Sequence, residues 1–193
     1  MDERDLIRKS REGDLQAFEL LVRARRAQVF RIARQILGDE EEAKDVAQLV
    51  FIRLWQSLDR YREGGSFGAY LHRITVNLAL DFARRQGARE RPEGMDPGEL
   101  EEAAAGVQAA SGRMEPGEIQ RIFRLLSRRL SPRQRAAFVL REIEGMSTEE
   151  VSEILGMSES TVRNHVHAAR KILQEGLKRL FPEYARGESG GRE

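Results

Sequence analysis

A chain of 193 residues, 40% hydrophobic and 34% charged, holds one or two small domains, and no apolar run approaches the roughly 18 residues of a membrane span. The N-terminal MDERDLIRKS lacks the apolar core of a signal peptide, so a cytoplasmic protein is expected, and the absence of cysteine excludes disulfides and thiolate metal sites. The net charge of +1 is unevenly spread: Lys and Arg lead Asp and Glu by 16 to 14 over residues 1–86, trail by 3 to 8 over 87–118, and lead by 14 to 10 over 119–193.

Apolar residues recur near the helical period and no stretch alternates as a strand does, so the expected fold class is all-α, with two small helical domains. In the first, residues 1–86, helices are predicted from Asp5, after Gly13-Asp14 and after Gly38-Asp39. The third, Ala43 to Trp55, is apolar on two sides: Ala47, Val50, Phe51 and Leu54 form one, while Leu49 and Ile52 lie nearly opposite beside Asp45 and Gln48. Such a helix is either sandwiched in a core or docked on a partner. The fourth, Phe67 to about Arg85, carries a core stripe of Phe67, Leu71, Ile74, Leu78 and Phe82. Tyr70, Arg73, Asn77 and Arg84 run beside it within about 60° of arc. Aromatic, guanidinium and amide groups in one row suit single-stranded nucleic acid; a solvated basic face with one boundary tyrosine is the equal alternative.

Residues 87–117 are rich in Gly, Pro, Ala and acid and carry no apolar stripe, which predicts a flexible linker; 183–193 is expected to be a disordered tail. Between them, residues 118–182 form the second domain. A helix over Glu118–Arg129 is followed by Ser131-Pro132-Arg133-Gln134, with a capping serine, proline at the first helical position and glutamine at the capping-box position. Gly145 ends that helix. Ser147 with Glu150 then opens another, Gly156 breaks it, and Ser158 caps the next after a short turn, which is the pattern of a helix-turn-helix.

The last helix puts Val162, Val166, Ala169 and Leu173 on one side. Ser160, Thr161, Asn164, His167 and Lys171 lie on the other, with Arg163 and Arg170 at its edge. Arg and Asn can pair with base edges in a major groove, and Lys and Ser can hold phosphates, so duplex DNA is favoured over an ordinary surface helix. His165 and His167 diverge by about 200° on a helix and cannot share a metal ion. No phosphate loop, nucleophile motif or His-carboxylate cluster is present, so neither an enzyme nor a cofactor is expected.

The order and spacing of these motifs resemble the extracytoplasmic-function sigma factors of bacterial RNA polymerase over nearly the whole chain. Gly13-Asp14 with Ala17-Phe18, the run Ala43-Lys-Asp-Val-Ala-Gln48 with Phe51 and Trp55, and Ser66-Phe67 with Tyr70-Leu71, Ile74 and Asn77 carry the N-terminal likeness. Leu130-Ser-Pro-Arg-Gln-Arg135, Gly156-Met-Ser158, Thr161-Val-Arg163 and Ala169-Arg170 carry the C-terminal one. The resemblance implies that the helix with Asp45, Gln48, Leu49 and Ile52 docks on the β′ clamp helices of core RNA polymerase, with the β flap as a further contact. It implies too that the Tyr70 row captures and opens the −10 promoter element, and that the last helix reads the −35 element. The resemblance implies further that the acidic linker threads toward the RNA exit path, and that an anti-sigma factor is a partner. Leu49 stands where an acidic residue is common, and Tyr70 where Trp is usual. Two alternatives stay open: a LuxR-type response regulator, which needs a strand-containing receiver domain, and a helical protein that binds polymerase without DNA.

Overall fold

The computed structural model describes residues 2–61, 66–87 and 116–182. Four helices come from the N-terminal half: α1 (Glu3–Arg11), α2 (Leu15–Leu37), α3 (Glu40–Ser57) and α4 (Phe67–Gly87). Four more come from the C-terminal half: α5 (Pro116–Ser127), α6 (Pro132–Phe138), α7 (Thr148–Leu155) and α8 (Glu159–Leu180). No strand occurs among the described residues. Gly87 closes α4 and Pro116 opens α5, so helix enters both ends of the expected linker. The rest of that segment, and the tail 183–193, lie outside the described residues.

Each boundary has a local cause. The Asp14 carboxylate accepts from the amides of Gln16 and Ala17 at 2.9 and 3.0 Å, and Asp39 accepts from Glu42 at 2.9 Å. These bonds satisfy N–H groups that a helix start leaves without partners. Ser131 with Gln134, and Ser147 with Glu150, form reciprocal capping boxes, and Ser158 caps α8 through the Thr161 amide at 3.2 Å. Gly156 leaves α7 at φ +61, where a Cβ would strain the backbone, and so turns the chain into α8.

Helix α2 is the spine of the N-terminal half. Its Ala17, Leu21, Val29, Ile32, Ala33 and Ile36 are buried against α1, α3 and α4. Each large aliphatic among them contributes about 1.5–3 kcal/mol by leaving water. Helix α4 is covered more widely than its expected stripe. Phe67 and Leu71 are buried as anticipated, Ile74, Leu78 and Phe82 are half-buried, and His72, Thr75, Val76 and Ala79 are buried in addition. The reason is that α4 packs on α2 and α3 with one side and on α6 and α7 with another.

After α6 the helix continues as a π-turn over Val139–Ile143. The extra residue per turn rotates the chain beyond it, aiming Glu142 at α8 and Glu144 at α2. One apolar cluster joins the N-terminal core to Ala136, Leu140, Val151, Ile154 and Val162. A second, built on Ile122, Leu126, Leu130, Ala169, Leu173 and Phe181, ties α5 to the far half of α8. Gly176 permits that approach, since a Cβ there lies 2.5 Å from a Leu126 methyl.

Candidate nucleic-acid interface

In α3, Ala43, Val46, Val50 and Leu54 are buried, while Asp45, Gln48, Leu49 and Ile52 are all exposed. Leu49 is 46% and Ile52 54% exposed, a large apolar area to leave in water on one helix. Trp55 shares this face at 37% exposure, its ring set edge-on to Phe18 of α2 at 4.8 Å. Sequence reading missed Trp55 as a member of the strip, although its place seven residues after Gln48 puts it there.

The α4 row keeps Arg73, Asn77 and Arg84 exposed and Tyr70 half-buried. Tyr70 is not a free ring. Its hydroxyl lies 2.8 Å from both the carbonyl and the Oγ of Ser57, and its ring meets Tyr61 at 5.5 Å. These ties fix the ring plane in advance, which lowers the ordering cost of stacking a base on its open side. Arg84 pairs with Asp81 at 2.9 Å, and Arg73 donates to the Glu153 carbonyl of α7 at 3.0 Å.

Behind Arg73, His72 is buried, with Nε2 3.1 Å from the Gln28 amide nitrogen and Nδ1 without a partner. Burial pushes its pKa below the ordinary value, and Arg25 and Arg31 of α2 act the same way, while Glu144 and Glu150 oppose them. The folded chain thus favours neutral His72, and unfolding lets it take up a proton. The contribution is fully present above the ordinary histidine pKa of about 6.5 and is lost as pH falls below it. The urea midpoint at pH 7.5 should exceed that at pH 5.5, and His72→Gln should shrink the difference. An unchanged difference in that variant rules His72 out as the source.

In α8, Ser160, Arg163, Asn164, His167, Arg170 and Lys171 are exposed, on the face opposite buried Val162, Val166, Ala169 and Leu173. Thr161 is half-buried and engaged with the cap, its Oγ1 2.8 Å from Ser158 Oγ. Two guanidiniums arrive already paired, Arg163 with Glu159 at 3.0 Å and Arg170 with Glu142 at 2.7 Å. The face is therefore less purely basic than the segment after Glu159 suggests. These exposed pairs are weak and yield readily to a phosphate or a base edge. Between α5 and α8 lies an open groove of about 800 Å³ lined by Ile119, Phe123, Phe138, Leu173, Leu177 and Phe181.

Arg135 was not anticipated. It is half-buried, and one of its amino groups donates to the Ile36 and Leu37 carbonyls at 2.9 and 3.2 Å, the other to the Ser127 carbonyl at 2.6 Å. A cation thus closes the C-terminal end of α2, where helix carbonyls lack partners and the dipole favours positive charge. Burial first, and Arg128 second, lower its pKa to about 10, so it stays protonated at neutral pH.

Residues 21–89 match sigma-70 region 2, and residues 120–173 match sigma-70 region 4. The chain is 34% identical over 174 residues to the ECF RNA polymerase sigma factor SigE of Mycolicibacterium smegmatis, covering 90% of this chain and 66% of that protein. It is 27% identical over 186 residues to the RNA polymerase sigma-H factor of Pseudomonas aeruginosa, covering 94% and 96% of the two. Among solved structures, the sigma factor RpoE from Bartonella quintana, in complex with the anti-sigma factor NepR, shares the fold. The TM-score is 0.63 at 24% identity, over 85% of this chain and 98% of that one.

Proposed function

Because the chain belongs to the extracytoplasmic-function group of sigma-70 RNA polymerase sigma factors, we propose that it binds core polymerase and directs it to promoters through separate surfaces on its two halves. Residues 1–86 form the polymerase-binding and −10 domain, 87–117 the tether, and 118–182 the −35 domain. The observation that carries this assignment is the pairing of regions 2 and 4 on one chain with a helix-turn-helix whose polar face stands open.

In this mechanism Leu49 and Ile52 enter an apolar site on the β′ clamp helices, with Asp45 and Gln48 as the polar rim. The groove beside α8 receives an apolar helix of the β flap. Arg163, Asn164 and His167 reach base edges of the −35 duplex, while Ser160, Thr161, Arg170 and Lys171 hold its phosphates. Tyr70, Arg73, Asn77 and Arg84 bind the separated −10 strand, and that capture offsets an unpairing cost of a few kcal/mol per flipped base. All bond chemistry belongs to the polymerase. The site of action is the bacterial cytoplasm, and among the described residues no helix is long and apolar enough to cross a membrane. We extend the partner set to an anti-sigma factor, the kind of protein seen with the RpoE fold.

Transcription of genomic DNA by core polymerase with and without the chain, read by sequencing RNA starts, tests this reading. Starts that share one upstream element should emerge only with the chain; starts identical to those of core alone count against it. In the same assay Asn164→Ala should change the preferred base at one upstream position, by about 1–3 kcal/mol. Lys171→Ala should weaken all promoters alike and flatten the salt dependence. An unaltered element with Asn164→Ala removes that residue from base reading.

A further inference from the structure

Tyr70 is the aromatic member of the α4 row, and its polar atom is turned into the protein. The phenolic hydroxyl reaches the last residue of α3, Ser57, and lies 2.8 Å from both its carbonyl oxygen and its Oγ. Ser57 Oγ donates its own proton to the Arg53 carbonyl at 2.7 Å. Both Ser57 oxygens therefore accept, and the single phenolic proton is shared between them. The bond has a local cause. At Ser57 the chain leaves α3 for a tighter turn over Leu58–Arg60, so helix carbonyls run out of amide partners, and the last turn of α3 holds no basic residue to cover them. Tyr61 backs the ring from the side, tilted 44° to it at 5.5 Å, and Phe67 stands edge-on to Tyr61 at the same distance.

We propose that Ser57 is a positioning residue for strand capture: by holding the Tyr70 hydroxyl it keeps the ring in the plane on which an unpaired promoter base stacks. The inference rests on the proposed function for the role of the α4 row. Ser57 touches no DNA and acts only through the phenol. With its hydroxyl spent inside, the ring offers a base a stacking face and no hydrogen bond, so the base it receives is held by a contact that every base can make. The tie also joins α3, which carries Leu49 and Ile52, to the row on α4. The docking helix and the capture surface thus share one rigid frame, and the ring is ordered before the strand arrives.

Promoter opening by core polymerase with the full chain tests this, read by the fluorescence of a base analogue placed in the −10 element. One promoter from the RNA-start experiment is used, both as duplex and with the −10 element already unpaired. Ser57→Ala removes one acceptor and should slow opening of the duplex by about three- to tenfold, the rate equivalent of one net hydrogen bond. It should change the unpaired template by less than about twofold, because there the unpairing cost is already met. Ser57→Thr keeps the oxygen and should restore the wild-type rate. In a Tyr70→Phe background, which has no hydroxyl to hold, Ser57→Ala should add nothing, and that coupling separates positioning from a general loosening of the end of α3. Tyr70→Ala reports on the row itself. Slow opening with Tyr70→Ala beside wild-type rates with Ser57→Ala overturns the proposal and leaves the row in place. A Ser57→Ala loss that persists in the Tyr70→Phe background, or that is equal on both templates, overturns it too. Normal duplex opening with Tyr70→Ala removes the row from strand capture, and the role of Ser57 falls with it. Circular dichroism and core-polymerase binding check every variant. If Ser57→Ala loses helix, Ser57→Cys, which keeps the size and weakens the acceptor, replaces it under the same criteria.

Discussion

Leu49→Glu with Ile52→Glu should abolish binding to core polymerase and leave the helices intact. Both side chains stand about half in water, at 46% and 54% exposure, so the free chain loses little packing, and each exchange should change its stability by no more than about 0.5 kcal/mol. In the proposed complex the same positions meet an apolar partner, and burying two carboxylates there would cost far more than a lost contact. Losses of about 2 kcal/mol or more at each position are usual for central interface residues, so the pair should weaken binding by about a thousandfold. Fluorescence titration of labelled core polymerase measures this, beside urea unfolding of the free variant. Normal polymerase binding refutes the docking assignment, and so does a variant that fails to fold, since that outcome makes this strip part of the core.

Replacing Arg135 with Met should be the most destabilising exchange of a polar residue among the described ones. It strips the carbonyls of Ile36, Leu37 and Ser127 of their donor at once, and hydrogen bonds from a charged group contribute about 1.5–3 kcal/mol each. Two effects reduce the total: burying the guanidinium is costly, and its Nε is itself without a partner. The balance favours a net loss of about 3 kcal/mol in urea unfolding. Arg135→Lys should recover less than half, because a single ammonium cannot span acceptors that a planar fork reaches from two edges. A loss below about 1 kcal/mol with Met would show that water replaces the guanidinium at the end of α2 without penalty.

What could be read in advance was whatever is decided within a few residues. The capping boxes at Ser131 and Ser147, the break at Gly156 and the cap at Ser158 all depend on neighbours in the chain, and all occur as expected. The second apolar side of α3 was legible but its fate was not: the pattern left a core sandwich and a docked partner both open, and Leu49 and Ile52 are exposed because α2 and α4 pack on the other side. The misses share another cause. His72, Thr75 and Ala79 are buried because a second layer packs on α4, and no periodicity of large apolar residues reports that. Arg135 sits in an ordinary polar run, and only the end of α2, about a hundred residues away in sequence, makes it a buried cap. Tyr70 was read as an available ring; that Ser57 anchors it depends on how the end of α3 meets α4. Glu142 and Glu144 gained partners on opposite sides through the π-turn, which has no local sequence mark.

That turn makes the chain sensitive to length in a way unrelated to chemistry. The turn already absorbs one extra residue, so a further residue inserted between Val139 and Arg141 would not be absorbed, and everything beyond it would rotate by about 100° about the axis. Glu142 would swing off Arg170 and Glu144 off Arg31 in the same movement. Helix α8 and the contact between the two halves are thus geared to one five-residue joint. Substitutions there can be absorbed singly, whereas an added codon would disengage both ends of the gear together.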